Sequence, residues 1–90
     1  MFNKKEKIRL GTSTYYYKEK NRLTLVCYAN MEMLNNLLKI AVSAGCKVTF
    51  WPRSLTEKTT EIVYEGAFGF KQVEREITDI FKGDSQRRII

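Results

Sequence analysis

Histidine is absent from this chain, which also holds only two cysteines, one proline and no long apolar run. Each shortage removes a class of function. Without an imidazole there is no Ser-His or Cys-His pair and no side chain whose ordinary pKa lies near neutrality, so a general base would have to be a strongly tuned carboxylate or lysine. Cys27 and Cys46 lack C-x-x-C spacing, and two thiols without histidine cannot supply a usual zinc ligand set. They read as small buried hydrophobes in a reducing compartment. No stretch approaches the roughly 18 apolar residues of a membrane span. The basic start, MFNKKEKIRLG, lacks the apolar segment that must follow in a signal peptide. Gly66 and Gly69 in EGAFGF are too sparse for a phosphate-cradling loop and are not followed by G-K-S/T. The expectation is a soluble, cytoplasmic protein that is not an enzyme and carries no metal or cofactor.

What is present is enough for one core. Ninety residues at 43% hydrophobic and 12% aromatic content exceed what a disordered chain carries and suit a single small domain. Residues 12–18 and 22–29 are rich in Thr, Tyr, Leu and Val around Lys18-Glu19-Lys20-Asn21, which predicts a β-hairpin. Asn30 stands as an N-cap before Met31–Ala44, where apolar residues at 34, 37, 38 and 41 follow helical spacing and Gly45 is placed to end the helix. In KVTFW, Val48 and Phe50 alternate with Thr49 and Trp51. Pro52 breaks that strand, SLTEKT forms a loop, and Thr60–Glu65 resumes as a second hairpin arm. Phe70, Val73, Ile77, Ile80 and Phe81 then fall on one stripe of a helix predicted over 70–82 and closed by Gly83.

The expected architecture is α+β, in the order ββα-ββα: a four-stranded antiparallel sheet with both helices on one face and the other face open. A basic N-terminal arm (1–11) and a basic C-terminal tail (84–90) flank a single domain over 12–83. A faint echo at an offset of 36 residues, Val26 with Ile62 and Tyr28 with Tyr64 among others, fits a repeated ββα unit. The order resembles a permuted arrangement of ferredoxin-like domains, and an open four-stranded sheet with aromatics is similar in general plan to RNA-recognition domains. The chain has neither their βαββαβ order nor their aromatic-glycine strand, so the likeness is one of fold plan.

Three consecutive tyrosines in TSTYYYKEK pose the functional question, because a strand turns only every second side chain to one face. Leu23, Leu25 and Cys27 form the more apolar face of the following strand. If hairpin partners sum to an odd number, as a loop of two or four residues requires, Tyr16 joins that face while Tyr15 and Tyr17 stand with Thr24, Val26 and Tyr28 outside. Thr49 and Trp51 extend the same open face.

Charge coincides with these aromatics. Of the net +6, residues 1–22 supply +5, with seven Lys or Arg against Glu6 and Glu19. Aromatics beside cations on an uncovered sheet are the makings of a stacking platform for unpaired bases. The expected site therefore has Tyr15, Tyr17, Tyr28 and Trp51 stacking and Lys4, Lys5, Lys7, Arg9, Lys20 and Arg22 meeting phosphates of a nucleic acid, preferably single-stranded. The alternative is a protein-interaction module, a regulator, inhibitor or subunit, that uses the same face, also as a homodimer. Plainer readings stand beside both, since tyrosine is a favoured strand residue and basic termini are common. Glu74, Arg75, Glu76 and Asp79 read as the solvated side of the second helix. Met31 and Met33 read as core filler or as an adaptable contact surface.

Overall fold

The computed structural model describes residues 6–52, 59–66 and 70–88, with side chains described through residue 81 except that of Pro52. Five strands and two helices follow in the order β1 (Glu6–Arg9), β2 (Tyr15–Lys18), β3 (Arg22–Cys27), α1 (Met31–Ala44), β4 (Lys47–Pro52), β5 (Thr60–Glu65) and α2 (Lys71–Arg88). One antiparallel sheet runs β1-β2-β3-β5-β4. The α+β class and the two predicted hairpins are present, and the four expected strands become five.

The additional strand comes from the segment expected to be an arm. EKIR pairs with YYYK, Ile8 opposite Tyr16 and Lys7 opposite Tyr17. An edge strand is half solvated and tolerates this much charge. The Leu10 and Gly11 N–H groups both donate to Thr14 O, at 2.8 and 3.0 Å, closing the turn. The next turn is tighter: Lys18 pairs with Leu23, and Glu19 N–H donates to Arg22 O at 2.9 Å, leaving Lys20 and Asn21 at the tip. That two-residue loop gives the odd-sum register, with Tyr16 opposite Leu25.

Helix α1 starts and stops where the sequence predicts. The Asn30 side chain accepts from Met33 N–H at 2.8 Å, satisfying an otherwise orphaned first-turn donor. Gly45 adopts φ 75°, a left-handed conformation that side chains resist, and its N–H together with that of Cys46 returns to Ala41 O. Helix α2 begins after Phe70, whose carbonyl accepts from Glu74 N–H, but it does not end at Gly83. It continues to Arg88 through part of the expected tail. A glycine inside a helix costs only about 1 kcal/mol relative to alanine, so it stops a helix only when the following residues have nothing to gain from continuing.

Both helices cover one sheet face. Leu23, Leu25, Ile62 and Tyr64 on the central strands β3 and β5 have no exposed surface, and they pack with Tyr16, Cys27, Leu37, Ile40, Ala41, Phe70, Val73 and Ile77. Two polar tethers orient the helices. The Tyr64 hydroxyl donates to Leu37 O at 2.9 Å, holding α1 above β5, and the Tyr16 hydroxyl donates to Glu74 Oε2 at 2.8 Å, holding α2 above β2. Lys18 Nζ lies 3.3 Å from the same carboxylate. Glu74 is therefore not on the solvated side of its helix, where the sequence placed it; of that group, Arg75 and Asp79 are exposed and Glu74 and Glu76 are half-buried. Leu38, expected among the core residues of α1, is instead 41% exposed.

Candidate site on the open sheet face

Strand alternation and the register assemble the helix-free face row by row. One row reads Arg9, Tyr15, Val26, Glu61, Trp51; the next reads Lys7, Tyr17, Thr24, Val63, Thr49; Arg22, Glu65 and Lys47 extend it at one end. The three tyrosines divide as expected: Tyr16 is buried, and Tyr15 and Tyr17 lie half-buried on the open side. Their rings meet edge to face with centroids 5.5 Å apart. Lys7 reaches over from the edge strand, its ammonium 4.4 Å from the Tyr15 centroid and 5.9 Å from that of Tyr17. Attraction of a cation to the negative ring face holds this cluster together.

The structure brings four of the ten expected residues together. Tyr15, Tyr17, Lys7 and Arg9 share the β1–β2 side. Trp51, 57% exposed, stands on β4, three strand spacings away, or roughly 14 Å. Tyr28 lies beyond the last paired residue of β3 and is 56% exposed, outside the strand ladder. Lys20 is exposed at the hairpin tip. Arg22 pairs with Glu65 at 3.3 Å, and Arg9 donates to Thr12 O at 3.3 Å. Lys4 and Lys5 lie outside the described residues. Val26, expected on the open face, projects there but is 2% exposed between Tyr15 and Glu61, making it a small second apolar centre apart from the main core.

Three carboxylates on this face were missed. Glu19, Glu61 and Glu65 join Tyr17, Arg22 and Trp51 around a shallow concavity of about 590 Å³. The alternation in TEIVYE carries the signal, because burying Ile62 and Tyr64 sends Glu61, Val63 and Glu65 to the other side. The face is accordingly polarised: cationic and aromatic over β1 and β2, mixed in charge over β5 and β4.

On the covered face, burial and the Glu74 carboxylate push the Tyr16 hydroxyl up to about 12. Burial alone pushes the free Cys27 thiol up to about 11, and burial also raises that of Cys46 against a backbone hydrogen bond that lowers it. Thiols held in the protonated form are poor nucleophiles. Among the described residues no group of three or more His, Cys, Asp or Glu is placed to hold a metal ion, and no helix is long and apolar enough to cross a membrane. No family model matches this chain, and no curated protein or solved structure matches it.

Proposed function

We propose that the protein is a non-enzymatic, cytoplasmic binding module that holds single-stranded nucleic acid along strands β1 and β2. The cluster of Lys7 with Tyr15 and Tyr17 carries this reading. An exposed cation–π contact is worth about 0.5–1 kcal/mol, whereas a base stacked on an aromatic ring contributes about 1–3 kcal/mol. A base can therefore displace the Lys7 ammonium from the ring and leave it free to meet the adjacent phosphate. Arg9 and Lys20, and Lys4 and Lys5 before the first strand, supply further phosphate contacts. Arg22 can contribute only by giving up Glu65, a surface pair worth at most about 1 kcal/mol. The nucleic acid runs along β1 and β2 in this reading because Glu61 and Glu65 repel phosphates further across the sheet. Trp51 and Tyr28 serve as outlying stacking positions.

The concavity over β5 and β4 favours a second reading. Tyr17, Arg22 and Trp51 interspersed with Glu19, Glu61 and Glu65 are the aromatic and mixed-charge composition of a protein interface. One titration separates the two. Affinity for a short labelled oligonucleotide should fall with salt, each neutralised phosphate adding about 0.7 to the slope of log affinity against log salt. Tyr17→Ala should weaken binding about tenfold at an unchanged slope, and Lys7→Gln with Arg9→Gln should flatten the slope by about 1.4. If micromolar protein at low salt binds neither single nor double strands, the nucleic-acid reading fails and the protein interface replaces it.

A further inference from the structure

The two edges of the sheet are built differently. Pairing an edge antiparallel with its own copy, while keeping both helix layers on one side, requires opposed residue numbers to sum to an even value. For β1 the central registers set Lys7 against the partner's Lys7 or against the partner's Arg9. Like charges directly opposed are destabilising, and cationic edges are a common guard against self-pairing. Strand β4 is less guarded, with one cation, Lys47, at its start and a proline, Pro52, that lacks an N–H at its end. It is longer, paired among the described residues with β5 alone, and alternates Lys47, Thr49 and Trp51 on the open face with Val48 and Phe50 on the helix face. A register centred on Thr49 sets Thr49 against itself, Lys47 against the partner's Trp51, and Val48 against the partner's Phe50. Each is a favourable cross-strand pair: hydroxyl with hydroxyl, cation with indole, aliphatic with aromatic.

The helix layer above that edge carries a matching feature. Helix α1 lies over β5 and β4, tied down by the Tyr64 hydroxyl. Its side towards α2 is marked by Asn36 and by Ser43, which accepts from Gln72 Nε2 at 3.0 Å. Leu38, Met31 and Val42 lie in that order roughly 160°, 140° and 120° around the helix from Asn36. This flank points away from α2, towards the free edge of β4. It is apolar and bare, with Met31 73%, Leu38 41% and Val42 75% exposed.

We infer that the chain forms a two-fold dimer in which β4 pairs with β4 of a second copy and the flanks of the two α1 helices close over the joint. The spacings of both layers agree. Strands pair at about 4.8 Å, so a helix centred over β4 and β5 lies about 5 Å from the two-fold axis and its copy stands about 10 Å away, at the usual distance of packed helices. Joining the edges makes roughly four to six backbone hydrogen bonds. With the edge of β4, the α1 flank offers on the order of 500 Å² per protomer, a total of about 1,000 Å², at the lower bound for a biological interface. The interface is isologous and closed, so it ends at two copies. It lies apart from Tyr15 and Tyr17 and leaves the β1–β2 side of both protomers free.

Sedimentation equilibrium over a concentration series tests the interface, together with cysteine cross-linking. Wild-type protein should sediment as a dimer. Val42→Glu, at an exposed position, should weaken the dimer at least about tenfold while leaving the circular dichroism spectrum unchanged, and Tyr17→Ala should leave the dimer intact. Thr49→Cys should form a disulfide-linked dimer under mild oxidation, because residues opposed across an antiparallel pair have the separation a disulfide needs; Thr24→Cys on β3 should not. A monomer at the highest soluble concentration would overturn the inference. So would a dimer that dissolves with Tyr17→Ala and survives Val42→Glu, or cross-linking of Thr49→Cys no faster than that of Thr24→Cys.

Discussion

Removing the Glu74 carboxylate should do more harm than its place on a solvent-facing helix would imply. Glu74 accepts the Tyr16 hydroxyl at 2.8 Å and stands 3.3 Å from Lys18 Nζ. Tyr16 is 5% exposed, so Glu74→Ala leaves a phenolic O–H beneath α2 without its partner, at a cost of about 1–3 kcal/mol. The Lys18 pair, partly solvated, adds less than about 1 kcal/mol. Tyr16→Phe removes the donor instead and leaves Glu74 to Lys18 and water, at about 1–2 kcal/mol for a hydrogen bond to a charged acceptor. In the double variant no orphaned hydroxyl remains, so it should be at least as stable as Glu74→Ala alone. Urea denaturation followed by far-ultraviolet circular dichroism measures all four corners of the cycle. A coupling of at least about 1–2 kcal/mol is expected; additivity within about 0.5 kcal/mol would mean that the two side chains do not act on one another.

Two further expectations concern the same core. Ile77→Ala should cost about 2–5 kcal/mol by emptying a fully buried position, while Arg75→Ala on the exposed side should stay within about 0.5 kcal/mol of wild type; equal losses would contradict the packing of α2. In alkali, the folded protein holds the Cys27 proton up to about 11 against an ordinary 9.0, and the Tyr16 proton up to about 12 against 10.0. The folded state thus binds more protons than the unfolded chain, and stability should be full below pH 9 and fall as pH rises towards 12. Cys27→Ala should make that fall shallower without removing its onset, because the Cys46 thiol is also raised from 9.0, and a wild-type stability that stays flat across the window would refute the linkage.

The parts of the fold legible in the sequence are those fixed by short-range chemistry. Asn30 and Gly45 bracket α1 because a helix needs a side-chain acceptor at its start and a left-handed residue at its end, and both requirements show in residue identity. The sidedness of the tyrosines was legible because a two-residue loop and the run Leu23, Leu25, Cys27 leave one parity. Strand β1 was not, since Ile8 alone among charged residues gives no alternation; its order comes from pairing with β2. The passage of α2 through Gly83 likewise has no local signal. At the open face, the aromatic and basic members could be placed by alternation in the first hairpin. The same rule applied to β5 would have placed Glu61 and Glu65 there too. Glu74 was misread because periodicity marks which side of a helix is apolar and says nothing about a single carboxylate at the margin that meets a phenol on another element.

The strand order carries a consequence for how the chain assembles. β1, β2 and β3 form a meander with short turns, and β4 pairs with β5, so most of the ladder forms between near neighbours in sequence. The exception is the seam between β3 and β5, where Leu25 stands opposite Ile62 and the chain between them must close a long loop including all of α1. Loop closure of that kind is repaid only after the distant strands meet, so the seam sets the pace of folding. The fully buried residues of the two halves, Leu23 and Leu25 on one side and Ile62 and Tyr64 on the other, come together in that one event. Substitutions along the seam should therefore slow folding, while changes on the outer strands act on the rate at which the finished sheet comes apart.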